Sequence, residues 1–325
     1  MSEQSQNRIL FDRACALLAI LTAAAYGYGI RIWLLAGTAA GVSLLTEWTC
    51  LYLRRKHFTR QHLDAGLSGI ILMMLMPPTV SFSLLIMSCI FAIIIGRQLF
   101  GGKENPVIHP AAAGYCFAVL CQRGEMMQFP KEFGSLPLSG LAAEQLCDGV
   151  STVWNRGGGL SGYLTDWLIG LPNQPVGTGS VVLLAVAALV LVCRRSASGW
   201  VVLPAVSFAM FCSVLFGRFQ HPAAQMIGCC LTNQMLFAVL FLHADPDYAP
   251  PQLAGSLYGI ILAGTVIVLT RMLRVTDAPV TAAVILSPAA IALRELMQLA
   301  EPVSEEKGGG DRNAEKHPGS TAALP

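Results

Sequence analysis

An all-α polytopic integral membrane protein is the fold class that the sequence predicts, and three observations lead there. Of the 325 residues, 54% are hydrophobic and only 12% are charged, with a mean hydropathy of +0.59; soluble domains average about 25% charged residues. The apolar residues gather into ten segments, and a helical span needs roughly 20 mostly apolar residues, fewer where it stops at a break. The third observation is the stretch Arg97–Tyr115, where two glycines, two X-Pro steps, a Lys103-Glu104 pair and His109 interrupt apolar sequence. In a bilayer, backbone this broken is tolerated only at the surface or lining a protected cavity. The lipid bilayer is thus the first partner, and a net charge of +2 gives no footing for nucleic acid.

The ten segments run Ala14–Gly29, Trp33–Leu53, Ala65–Met76, Val80–Ile95 and Val107–Cys121, then Ser180–Cys193, Trp200–Phe216, Ala224–His243, Leu253–Thr270 and Val280–Leu296. The first is either a span or a cleaved secretory signal, because Arg8 and Arg13 precede an apolar run that ends at Ala23-Ala24-Ala25. Cytoplasmic loops collect Lys and Arg. With the N-terminus inside, the inner segments hold twice as many basic residues as the outer ones, which places both termini in the cytoplasm.

That orientation divides the chain into a first membrane half (1–121), an outer-face loop (122–179), a second membrane half (180–300) and a charged, Gly-rich, disordered cytoplasmic tail (301–325). In the outer loop, Tyr163–Leu168 carries Tyr and Trp as a short interfacial helix would. Gly157-Gly158-Gly159 lacks a following Lys-Ser or Lys-Thr and reads as a linker. The ten cysteines are scattered without a C-x-x-C pair and read as small core residues, although Cys121 and Cys147 flank the loop and could pair in an oxidising compartment.

The two halves resemble each other. Pro77-Pro78, an apolar helix, Arg97 and Asn105-Pro106-Val107 in one are matched by Asp245-Pro246, an apolar helix, Arg271 and Ala278-Pro279-Val280 in the other. Spans three to five thus match spans eight to ten, and an odd offset of five helices inverts the second copy in the membrane. Two inverted five-helix repeats with broken helices are a common way to build a midplane transport site.

No Walker motif, no G-x-G-x-x-G between strand and helix and no paired Cys or His at metal spacing occurs. Candidate functional residues are therefore sparse. Glu47 is the carboxylate well inside a span, an expensive position unless it serves a function or snorkels from near the helix end. Asp64 and Asp245 stand at helix ends, where capping competes with function. His109, between the breaks at Pro106 and Pro110, is either a satisfied buried histidine or a ligand or proton carrier.

These residues carry a family resemblance. Gly101, Gly102, Pro110, Ala111, Gly114 and Tyr115 match, without a gap, the G-G-x-G-x-N-x-x-N-P-A-x-x-G-Y pattern of the RnfD/NqrB family, the D subunit of the Rnf complex and the B subunit of the sodium-pumping NADH:quinone reductase. Asp64, Ser68-Gly69 and Pro77-Pro78 resemble its D-x-x-x-[ST]-G…L-P-P helix, and Asp245-Pro246, Pro250 and Tyr258-Gly259 its D-P-V-T-S-P…Y-G run. Gly177 and Ser180 fall at its G-E-T-S. The resemblance covers Ala14–Leu296 and suits the shorter, Rnf-type subunit.

What it implies is a ten-helix subunit of a prokaryotic membrane electron-transfer complex, working with other membrane and peripheral subunits that oxidise ferredoxin or NADH and move Na+ or H+. The activity would belong to the complex, not to this chain alone. It also implies bound flavin: FMN joined through its phosphate to a threonine in D-x-x-[ST]-G-A-T, with riboflavin as the alternative. The implied cofactor-binding residues are Asp148, Ser151, Thr152, Asn105, His109, Pro110, Gly114 and Asp245. Here the sequence departs from the pattern. Asp148-Gly149-Val150-Ser151-Thr152-Val153-Trp154 puts Trp154 at the acceptor position, His109 replaces the asparagine of N-P, and Thr178 replaces the glutamate of G-E-T-S. Either Thr152 is a shifted acceptor or the covalent flavin is lost. A stand-alone inverted-repeat transporter and a cofactor-free scaffold of an oxidoreductase complex remain as alternatives.

Overall fold

The computed structural model describes residues 3–102, 105–138, 143–158, 170, 173–216 and 222–300. Lys103-Glu104, the interfacial helix expected at Tyr163–Leu168 and the tail from 301 lie outside these residues. Each of the ten apolar segments is helical. The first half contains α1 (Glu3–Tyr28), α2 (Arg31–Leu53), α3 (Asp64–Leu75), α4 (Phe82–Ile93) and α5 (Pro110–Cys121). After a short α6 (Arg123–Met126) and α7 (Val150–Asn155), the second half contains α8 (Val181–Cys193), α9 (Gly199–Leu215), α10 (Pro222–Leu231), α11 (Met235–Ala238), α12 (Gln252–Met272), α13 (Ala278–Ile285) and α14 (Ser287–Ala300).

Several of the ten expected helices are short, as helices that stop at a break would be. Gln6–Tyr28, Arg31–Leu53 and Gln252–Met272 are long and apolar enough to cross a membrane, and up to five spans result if the bent pairs α10–α11 and α13–α14 each count as one. The rest are shorter apolar helices. The breaks have local causes. Proline disfavours the α conformation in the residue before it, so α3 stops at Leu75 and Met76 turns extended (ψ 159°) ahead of Pro77-Pro78. Between α10 and α11 the bend is 58°, made by Asn233 and Gln234 at φ 57° and 59°. Between α13 and α14 it is 52°, at Leu286 just before Ser287-Pro288. The fifth helix starts at Pro110 rather than Val107, because proline at the first helical position needs no donor.

The all-α expectation also needs a small correction. Gln128–Pro130 (β1) and Leu146–Asp148 (β2) pair antiparallel, with Phe129 opposite Cys147. Cys121 and Cys147 are free thiols, so the pairing considered from sequence is not made.

One large hydrophobic core runs through both halves, and among the described residues Val150 and Leu231 form a small second cluster. Outside both, Leu18, Leu45, Leu189, Leu203, Phe211 and Val268 are each more than half exposed. A water-facing surface this apolar would aggregate, and in hydrocarbon it is the expected lipid face; the chain is a multi-pass membrane protein. Within the core, small residues set the helix contacts, as they do where lipid supplies no drive for association. The Gly255-x-x-x-Gly259 face of α12 lies against α9, where a Cβ on Gly259 would sit 2.8 Å from the Val201 carbonyl oxygen and 3.1 Å from the Ala205 nitrogen. In the first half Gly69 of α3 meets Ala39 and Ser43 of α2 in the same manner.

Two polar clamps fix the irregular segments. The Arg31 guanidinium, 2% exposed, donates to the carbonyls of Pro78, Val80, Pro137 and Leu138 at 2.6–3.2 Å, tying the loop after α6 to the break after α3. His243 donates from Nε2 to the Pro279 carbonyl and accepts at Nδ1 from the Tyr258 hydroxyl, both at 2.9 Å, joining the end of α11 to α12 and α13. Substituting G259V should destabilise the chain by about 1–3 kcal/mol through overpacking, read as earlier thermal loss of monodisperse protein in detergent; an unchanged melting curve would show that α9 and α12 do not approach this closely.

Candidate functional site: a buried chain of charges

Two π-helical turns aim polar side chains into the core. α4 continues as Ile94–Gln98 and α11 as Val239–His243. Each inserts an extra residue into the helix, which rotates the residues after it, and such turns gather at functional sites. The first turns Arg97 and Gln98 inward. The second delivers Asp245 at the start of the next loop.

Arg97 is 4% exposed and Glu47 is fully buried. The Glu47 carboxylate accepts from Gln98 Nε2 at 2.6 Å, meets His62 Nδ1 at 2.9 Å and faces Arg97 Nε at 3.4 Å. Arg97 Nη1 donates to Asp64 at 3.2 Å, so Asp64, first residue of α3, is an ion-pair partner as well as a favourable charge at a helix N-terminus. Glu47 does not snorkel. Arg97 Nη2 is buried and has no hydrogen-bond partner among the described residues.

A second pair adjoins the first. Arg13 of α1 grips Asp245 with both fork nitrogens, Nη1 to Oδ2 at 2.8 Å and Nη2 to Oδ1 at 2.6 Å, with both residues under 9% exposed. His109 caps α5: its Nδ1 accepts from the Ala111 backbone N–H at 3.3 Å. That leaves Nε2 to carry the proton towards Asp245 Oδ2, 3.6 Å away. The His109 ring packs on Tyr248 with centroids 4.9 Å apart. The Asp64 carboxylate is near enough to Arg13 for the two charges to attract. Arg294 of α14 holds the loop by donating to the carbonyls of Pro246, Asp247 and Ala249.

The result is two clusters of charged groups, His62–Glu47–Arg97–Asp64 and Arg13–Asp245–His109, buried except for the half-buried His62 and Asp64 and gathered from α1, α2, the turn before α3, the start of α3, the first π turn, the start of α5 and the loop after the second π turn. An unpaired ion taken out of water costs several kcal/mol, so the near-balance of two guanidiniums against three carboxylates is what lets these groups stay charged inside.

The other expected site residues lie at the opposite end of α5. Asp148 closes β2 and pairs with Arg156 at 2.7 Å, but both side chains are more than half exposed, where such a bridge contributes little. Ser151 Oγ accepts from the Asn233 backbone N–H at 2.7 Å, and Asn155 donates to Asn233 Oδ1 at 2.8 Å, so α7 braces the strained break between α10 and α11. Gln234, next in that break, donates to the Leu75 carbonyl and the Tyr115 hydroxyl, both at 3.3 Å. Thr152 faces a cavity of about 20 Å³ shared with Tyr115, Phe129 and Gln234.

The structure therefore brings His109, Pro110 and Asp245 together and does not bring Asp148, Ser151 and Thr152 to them. Asn105 is exposed in the loop before α5. Gly114 is a packing residue, where a Cβ would lie 2.8 Å from Ala92, Leu72 and the Ser88 carbonyl. Sequence reasoning missed Arg13, counted only as a loop charge or signal residue, and with it His62, Gln98, Tyr248 and Asn233. The signal that finds Arg13 is a cation abutting a long apolar run within the same helix.

For a tethered FMN the residues do not fit. Trp154 has no hydroxyl, and its ring is packed so closely on α10 that a Cβ on Gly228 would lie 2.5 Å from it. Ser151 Oγ is already engaged, and the Thr152 cavity has room for about two waters.

The fold and the paired charges inside its core define a multi-pass helical membrane protein. Residues 1–296 match the NQR2, RnfD, RnfE family, and the chain belongs to it. It is 27% identical over 301 residues to the D subunit of an ion-translocating oxidoreductase complex of Actinobacillus succinogenes, covering 81% of this chain and 84% of that one. The D subunit of such a complex in Haemophilus influenzae is 23% identical over 303 residues with the same coverage. That of Shewanella frigidimarina is 33% identical over 97 residues, 29% of this chain and 27% of its own.

Removing one partner of a buried ion pair costs about 3–5 kcal/mol, whereas replacing both with apolar residues is often neutral. R13M alone should therefore strongly lower thermal stability in detergent, and R13M/D245L should recover most of the loss; additive losses would mean that the two side chains do not share one buried pair.

Proposed function

We propose that this chain is the D-type membrane subunit of an Rnf-type ion-translocating oxidoreductase complex in a prokaryotic inner membrane, with both termini cytoplasmic. Electron flow from ferredoxin or NADH through partner subunits would be coupled to Na+ or H+ movement, and this chain would supply part of the ion's route. Its halves would be inverted repeats, as the matched order of breaks and the repeated helix contacts suggest: α2 packs on α3 and α4, and α9 packs on α10 and α12.

The observation that carries the reading is the pair of buried charge clusters at the seam between the halves. Ionisable groups inside a membrane are expensive and mark ion or proton routes. Carboxylates of this kind offer a cation oxygen ligands or a proton a resting place, and Arg13 and Arg97 supply the countercharge when neither is present. No step of this reading passes through flavin on this chain.

The test uses R13M/D245L in the assembled complex, reconstituted into liposomes with its electron donor. The complex should assemble and oxidise donor, while the ion gradient falls to the uncoupled background. A full gradient with the double variant would leave this chain as a scaffold, and solute or ion uptake by the purified chain without partners would favour the stand-alone transporter.

A further inference from the structure

The slot that Trp154 fills is a further feature that the charge clusters do not use. In α7 successive residues are turned by about 100°, so positions two apart face opposite sides. Thr152 points to the cavity beside Tyr115. Trp154 points the other way, into a slot between α9, α10 and α12 lined by Ser213, Gln225, Cys229, Val266 and Thr270. Its ring rests on Gly228, the residue of α10 with no side chain to oppose it. Beside the ring remains a cavity of about 40 Å³, room for about three waters. Two buried polar atoms of that lining, Gln225 Nε2 and Thr270 Oγ1, have no hydrogen-bond partner among the described residues. Gln225 is 1% exposed. Native interiors leave few such groups unsatisfied. The slot is thus floored by glycine, with polar atoms at its wall and an aromatic ring inside.

We propose that the Trp154 indole occupies the place of a flavin ring, and that this subunit carries no phosphoester-linked flavin. The inference rests on family membership for the identity of the acceptor position, and otherwise on the packing of α7. A hydroxyl at 152 cannot stand in for one at 154, because a group attached there would leave α7 on the opposite side, away from the slot. Tethering requires a threonine oxygen to attack the phosphorus on the flavin side of FAD, with AMP leaving and the hydroxyl proton lost to solvent. The indole at 154 has no oxygen with which to begin.

The experiment co-expresses the full chain with an FMN transferase that reads D-x-x-[ST]-G-A-T, followed by in-gel flavin fluorescence after denaturation. The wild-type band should be dark. T152G/V153A/W154T, which restores the pattern, should fluoresce. In parallel, purified W154A should quench the fluorescence of added riboflavin, and wild type should not. A fluorescent wild-type band overturns the proposal, and its loss in T152A would assign the other face of α7 as the acceptor. A folded triple variant that stays dark, together with a folded W154A that leaves riboflavin unquenched, overturns the slot. If the triple variant fails to fold, W154A alone decides the slot and the wild-type band decides the tether. Labelling depends on this chain and the transferase only, so it is independent of whether the chain assembles with oxidoreductase partners.

Discussion

The bidentate Arg13–Asp245 contact, at 2.6 and 2.8 Å, joins the first helix to the loop after the second π turn, 232 residues apart in the chain. Desolvating either partner alone would cost more than a helix contact of this size returns. The pair is therefore a constraint before it is a source of stability. α1 has to lie against the 245–249 loop, α5 has to begin where His109 can face Asp245, and the π turns have to rotate Arg97 and Asp245 inward. Arg294 then ties the loop to α14. Much of the irregular backbone in this protein is explained by where these charges must meet.

The irregular backbone has a second centre at the other end of α5. There Asn233 and Gln234 hold left-handed conformations, which cost about 1–3 kcal/mol each for non-glycine residues and persist only where surroundings over-determine them. Ser151, Asn155, Tyr115 and the Leu75 carbonyl are those surroundings. The break in the second half is thus held open by polar groups from α7, from α5 and from the break in the first half. A segment that family resemblance marks for cofactor attachment acts in this chain as a brace, with Trp154 closing the slot beside it.

The sequence made the helices and their breaks legible, because apolar length and proline are local signals. Pro77-Pro78 and the Asp245-Pro246 step each mark the end of a helix where expected. It could not reveal that Val107 stays outside α5, since the choice between Pro106 and Pro110 depends on His109 reaching the Ala111 N–H. Nor could it count full spans, because a bend at Asn233-Gln234 needs partners 78 residues away. The site was half legible. Glu47, Asp64, His109 and Asp245 stood out as acids or a histidine in apolar surroundings. Their partners did not, because Arg13 and Arg97 look like ordinary loop charges until the π turns and α1 place them inside. Composition fixes that such charges must be paired, and only the fold says with what.

The central claim is that Glu47, Asp64 and Asp245 belong to an ion route rather than to a structural staple. The most direct measurement is donor-driven membrane potential in proteoliposomes containing the assembled complex with E47Q, which keeps the side chain's shape, with its one carbonyl oxygen accepting from Gln98 and its amide N–H facing a neutral His62 Nδ1. An ion route through Glu47 predicts that donor oxidation persists while the potential collapses. A potential equal to that of the wild-type complex would contradict it.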